Sequence, residues 1–230
     1  MTRGLAATVL LTLAAILAGC GKRQPDLSPE QQMNAIMEAT SPFAAAEIRM
    51  DEAMNKAVGT SVGDSWARKM IEHHRGGIAI AREALAMHPD AHVAAMARAT
   101  IGEETREVAR LQKLVSGGAP VRASADLYQP AIDRMHQAMM AANGTRLAET
   151  FHRKMLEHHR GAVALADVAV ANGVTDALRH EAERVRADHQ KQVEAIDAML
   201  RNGTKPEPSK RTAVPRPTKS PAASTPTPEA

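Results

Sequence analysis

Two short stretches hold the residues best suited to chemistry. Arg68-Lys69-Met70-Ile71-Glu72-His73-His74-Arg75-Gly76 recurs as Arg153-Lys154-Met155-Leu156-Glu157-His158-His159-Arg160-Gly161, 85 positions later. Eight of eleven positions are identical in the windows that start at Trp66 and Phe151. In each copy a methionine precedes a histidine pair by three and four residues, which on a helix sets a thioether beside two imidazoles. Thioether sulfur is a soft, neutral ligand, so Met with His suits Cu(I), and also Ag(I), better than zinc or hard ions.

Further donors lie at matching positions. Met50 and Met54 sit four apart, and Met135 and Met139 repeat them. The second copy adds His136 and Met140 where the first has Asp51 and Asn55. Glu104 falls on an apolar stripe between Ile101 and Val108, with Glu107 one turn on; the second copy places His189 and Gln192 there. Glu and His are seldom buried unless paired, protonated or ligating. The expected ligands are therefore Met50, Met54, Met70, His73 and His74 in one copy, and Met135, His136, Met139, Met155, His158, His159 and His189 in the other. This makes two candidate sites on one plan, the second richer in donors. The alternative is structural, since Met often fills irregular core gaps, but two adjacent His in the same place in both halves are hard to explain by packing. Met33, Met37, Met87, Met96 and Met199 read as tether or core residues. His88, His92, His152 and His180 read as surface residues.

The elements that must position these donors are helices. Aromatics make up 2% of the chain, and Ala, Leu, Met and charged residues dominate, a composition that favours helix over sheet. Apolar spacing predicts six helices in two groups of three, over about 42–57, 64–87, 90–115, 124–142, 145–171 and 174–201, punctuated by Pro89, Gly117-Gly118, Asn143-Gly144 and Asn172-Gly173. The 85-residue offset makes an internal duplication the simplest reading, with a first helical repeat over 40–118 and a second over 119–202. The fold class is all-α, built from a tandem three-helix repeat. The six helices form either two packed three-helix units, or a bundle of the four long helices capped at the histidine level by the first and fourth.

The ends of the chain read differently. Residues 1–19 have the plan of an export signal, with Arg3 ahead of an apolar run from Leu5 to Leu17 that is too short to span a membrane comfortably. Leu17-Ala18-Gly19-Cys20 looks like a bacterial lipobox, which implies that Cys20, the single cysteine, is lipidated and anchors the protein to a membrane. A plain secretory signal is the alternative. Residues 20–39 read as a tether. Residues 203–230 contain seven Pro among Thr, Ser, Ala and Lys and are expected to be disordered. The formal charge of +3 is concentrated at the end: residues 201–230 carry six Lys or Arg against Glu207 and Glu229, which leaves residues 1–200 at −1. With no basic groove and one Trp, one Tyr and two Phe, nucleic acid is not an expected partner.

The Met-[Ile/Leu]-Glu-His-His segment, followed by a helix bearing Glu or Gln, resembles domain-of-unknown-function family 305 (DUF305) over roughly residues 40–201. The resemblance implies a ferritin-like helical fold. It also implies kinship with exported copper-binding proteins of the CopM type, with Met70, His73, His74, Met155, His158 and His159 as the carried-over ligands and Met50, Met54, Met135 and Met139 on the methionine-bearing helix. The expected function is a lipid-anchored copper-binding protein of the cell envelope, facing the periplasm or exterior, that sequesters, tolerates or delivers Cu(I), with copper-handling envelope proteins as partners. A metal-free helical interaction module is the second expectation. A di-iron oxidase is a third, weakened because such sites use two Glu-x-x-His motifs and this chain has one, Glu149 with His152. No nucleophile with a base and no phosphate loop is present, so an enzyme is not expected.

Overall fold

A computed structural model describes residues 41–174 and 176–202. The export signal, Cys20, the tether and the Pro-rich tail lie outside the described residues. Among the described residues seven helices form: α1 Ala44–Lys56, α2 Val62–Ala86, α3 Ala91–Leu111, α4 Arg122–Asp126, α5 Gln129–Ala141, α6 Leu147–Ala171 and α7 Asp176–Arg201. No strand occurs among the described residues, and the chain is an all-α bundle built from a tandem repeat.

Local chemistry explains where the helices begin. Ser61 caps α2, its hydroxyl accepting from the Asp64 amide at 3.2 Å. Asp90 caps α3 by accepting from the amides of His92 and Val93 at 3.0 and 2.9 Å. Asp64 is itself a tie. Its carboxylate accepts from the amides of Thr60 and Ser116 at 2.8 and 2.7 Å and from Arg68 Nε at 2.9 Å. Burial pushes its carboxyl up, but these hydrogen bonds prevail and hold it below the usual range.

One expectation needs correction. The helix expected over 124–142 is two helices, α4 and α5, broken at Leu127-Tyr128. Pro130 occupies the first turn of α5, where its missing N–H costs nothing. Tyr128 is fully buried and donates to the Val62 carbonyl at 3.0 Å, pinning the break against the start of α2.

The long helices pair as hairpins, α2 with α3 and α6 with α7, and the hairpins meet through α2 and α6. Helix α1 lies on α2, α5 lies on α6, and α1 touches α5. The four long helices thus share one core, the second of the two expected arrangements. The repeat is also visible in buried lysines. Lys69 Nζ donates to the Met54 carbonyl at 2.8 Å and Lys154 Nζ to the Met139 carbonyl at 2.6 Å, satisfying late carbonyls of α1 and α5. Lys154 also pairs with buried Glu47 of the other repeat at 3.0 Å. Burial lowers the Lys69 ammonium to about 8. No helix among the described residues is long and apolar enough to cross a membrane.

Candidate metal centre

Helix α2 carries His73 and His74, and α6 carries His158 and His159, all on the faces turned toward each other. All four are buried. The rings of His73 and His158 stack with centroids 3.8 Å apart and 15° between planes. His73 Nε2 donates to the His158 carbonyl at 3.1 Å. The two histidine pairs therefore do not form two sites, one per repeat. The internal symmetry folds them into one centre. Sequence periodicity assigns each histidine to an inward face, and it is the contact between α2 and α6 that makes the two inward faces one.

Helices α3 and α7 complete it with Glu104, Glu107 and His189, all buried. His158 Nε2 donates to Glu104 Oε1 at 2.8 Å, and His189 Nε2 donates to Glu107 Oε2 at 3.1 Å. His189 then offers Nδ1 as an acceptor to His159 Nδ1–H at 2.9 Å, which leaves His159 Nε2 with a lone pair. His74 Nε2 lies 3.0 Å from Glu107 Oε2, but without the alignment of a good hydrogen bond. Five imidazoles and two carboxyls thus converge from four helices and both repeats.

Their ligand atoms form three sets, each within 4.8 Å: His73/His74/His158, His74/Glu107/His189 and Glu104/His158/His159. The last two share no residue, so two three-ligand sets lie side by side. Several buried atoms of the centre have no hydrogen-bond partner: His73 Nδ1, both nitrogens of His74, His158 Nδ1 and Glu104 Oε2. Buried polar atoms are rarely left unsatisfied, and a cluster of them is a place where an ion fits.

Burial keeps the imidazoles in the neutral form. Burial, reinforced by neighbouring histidines, pushes His73, His158 and His159 well below the ordinary range. Burial also lowers His74, with Glu107 pulling the other way. Burial and the Glu107 charge push Glu104 well above the usual carboxylate range. Burial would raise Glu107 too, but His189 and His74 outweigh it and hold that carboxyl far below. Neutral imidazole is the form that binds metal. Glu107 also faces outward, its Oε1 taking Arg184 at 3.2 Å and Arg110 at 3.3 Å. It is the one residue shared by the centre and a surface recess of about 350 Å³ between α3 and α7.

Met50, Met54, Met70, Met135, Met139 and Met155 are all buried in the core. The Met50 side chain lies over Gly76, and that of Met135 over Gly161. Each glycine is three residues after the first histidine of its pair and so on the same helix face. Met54 and Met139 meet the buried lysines through their carbonyls. His136 lies elsewhere: it is half-buried, with Nδ1 3.9 Å from Asp51 Oδ1 of α1, and belongs to none of the three sets. Asp51 and His136 hold matching positions of the two repeats. The His152 ring, expected at the surface, is buried, whereas His88, His92 and His180 are exposed.

Gly77 makes room for the centre. A methyl group there would overlap Glu104 Oε2 and lie 2.5 Å from His158 Nε2. Gly inside a helix costs about 1 kcal/mol against Ala, so an inward glycine between His74 and Ile78 was a readable signal. Gly77→Ala is expected to keep the helix but weaken metal binding about tenfold, roughly 1.4 kcal/mol, as measured by competition with a chelator. An unchanged affinity would show that the Glu104/His158/His159 set takes no metal.

A family model described as "Domain of unknown function (DUF305)" matches the chain twice, over residues 11–115 and 122–228. No curated protein and no solved structure matches the chain.

Proposed function

The chain belongs to the DUF305 family, with its domain present twice, and from that premise we propose that it is a metal-binding protein of the cell envelope that holds copper in the histidine–glutamate centre. The observation that carries the reading is the group of unpartnered nitrogens of His73, His74 and His158 buried against a partnerless Glu104 oxygen. Imidazole suits copper, and thioether sulfur suits Cu(I) in particular. Met50 and Met135, seated over Gly76 and Gly161, bring sulfur to the helix faces that bear His73 and His158. The role is sequestration, tolerance or delivery rather than catalysis. Export and lipidation at Cys20 would anchor the protein to a membrane and place it beside other copper-handling proteins.

A second reading has its own observation. Glu104 and Glu107 stand inside the centre, and carboxylates suit harder divalent ions such as iron. Metal analysis decides between them. Protein loaded with Cu(I) and then desalted is expected to retain copper against a competing chelator, and to lose the copper held by the centre when His73, His74, His158 and His159 are replaced by Ala. Retention of less than one copper per chain, unaltered by those substitutions, rejects the copper reading. Tight Fe(II) retention in its place supports the second.

A further inference from the structure

A different cluster lies at one end of the bundle, where α3 and α6 begin and α7 ends. His152 of α6 is 1% exposed, and neither of its ring nitrogens has a hydrogen-bond partner. His92 of α3 faces it, the ring centroids 5.4 Å apart and the planes at 69°. His92 Nε2 in turn lies 3.1 Å from the sulfur of Met199 on α7. We propose that His92, His152 and Met199 form a separate site for a soft monovalent ion, Cu(I) or Ag(I), bound by two imidazoles and one thioether.

The geometry suits one shared ion. With a metal–nitrogen bond of about 2.0 Å, two imidazoles on one ion have ring centroids roughly 5–6 Å apart, which brackets the observed separation. A buried imidazole with two idle nitrogens costs free energy unless something binds it. The donor set has sulfur and no carboxylate among its three members, which suits a soft ion. Burial, with His92 beside it, lowers His152 and so favours its metal-binding form. His152 precedes His158 by six residues, about 9 Å along the helix, so the two sites are distinct. The site also has no counterpart in the internal symmetry. The positions that match His92, His152 and Met199 hold Ala177, Ala67 and Leu114.

The test uses the whole protein and Ag(I), which has no redox chemistry to confuse the readout. His92→Gln and Met199→Leu change residues that are exposed or only partly buried and leave the main centre intact. Each is expected to lower the bound Ag(I) by one ion per chain, and titration of the unaltered protein is expected to shift the Met199 methyl resonance. Unchanged stoichiometry in both variants with a still Met199 methyl overturns the proposal. The result is separable from the main centre. If only the central reading fails, replacing His73, His74, His158 and His159 leaves the Met199 shift in place.

Discussion

Saturation with Cu(I) is expected to raise the melting temperature of the protein by about 10 °C. A ligand that binds only the folded state contributes about 4 kcal/mol at a thousandfold excess over its Kd. For a domain of this size each kcal/mol moves the midpoint about 2–4 °C. The gain should depend on His74 and His158, because between them they enter all three ligand sets. Glutamine at both positions keeps polar side chains of similar reach and limits the cavity that Ala would leave. Calorimetry with and without Cu(I) on the His74→Gln/His158→Gln variant should therefore show the gain abolished, apart from any contribution of the His92/His152/Met199 site. An undiminished gain in that variant would place the copper elsewhere.

The metal-free protein should lose stability steeply as pH falls from about 6.5. The folded state holds His73, His158 and His159 well below the ordinary imidazole value of 6.5, and His74 below it. Below pH 6.5 the unfolded chain takes up protons that the folded chain refuses, so stability is complete above 6.5 and drains away on acidification. Each such group contributes up to about 1.4 kcal/mol per pH unit in that window. Glu104 opposes this. Its raised value makes the folded state the better proton binder above 4.5, so its contribution is present at low pH and lost as pH rises. Four histidines outweigh one carboxyl. A net difference of two protons amounts to about 3 kcal/mol, or roughly 6–12 °C, per pH unit. Melting curves between pH 7 and 5 measure it, and a flat profile would contradict the burial of the cluster. Bound copper competes with those protons, so the loaded protein should be markedly less sensitive.

Much of this was legible in the residues. The doubled Met-x-x-His-His and its helical period placed His73, His74, His158 and His159 on inward faces, and the same stripe pointed to Glu104 and His189. What periodicity cannot supply is the partner across the core. It assigns a face to each helix but not the helix opposite, so one centre built from both repeats read as two. His152 illustrates a signal passed over. It precedes Leu156 by four and His159 by seven, on the same apolar stripe, and that spacing outweighs the polarity of its type. The break before α5 was also readable, because Pro130, lacking an N–H, fits the first turn of a helix and not its interior. The buried lysines had no such signal. Lys69 and Lys154 are held inside by carbonyls 15 residues earlier, a contact set by tertiary packing alone.

The contact between Asp51 and His136 has a bearing on ancestry. These residues hold the same position in the two halves, so they meet across the internal two-fold. In a dimer of identical one-repeat chains that meeting would set acid against acid or imidazole against imidazole, neither of which makes an acid–imidazole pair. Joined halves free to diverge can oppose an acid to a base there. The same freedom places His189 in one half where the other has Glu104, so that a single centre holds both. A lone repeat owns only part of the donors and would have to find its twin by concentration. The fused chain carries its twin with it, and assembles the centre at any dilution.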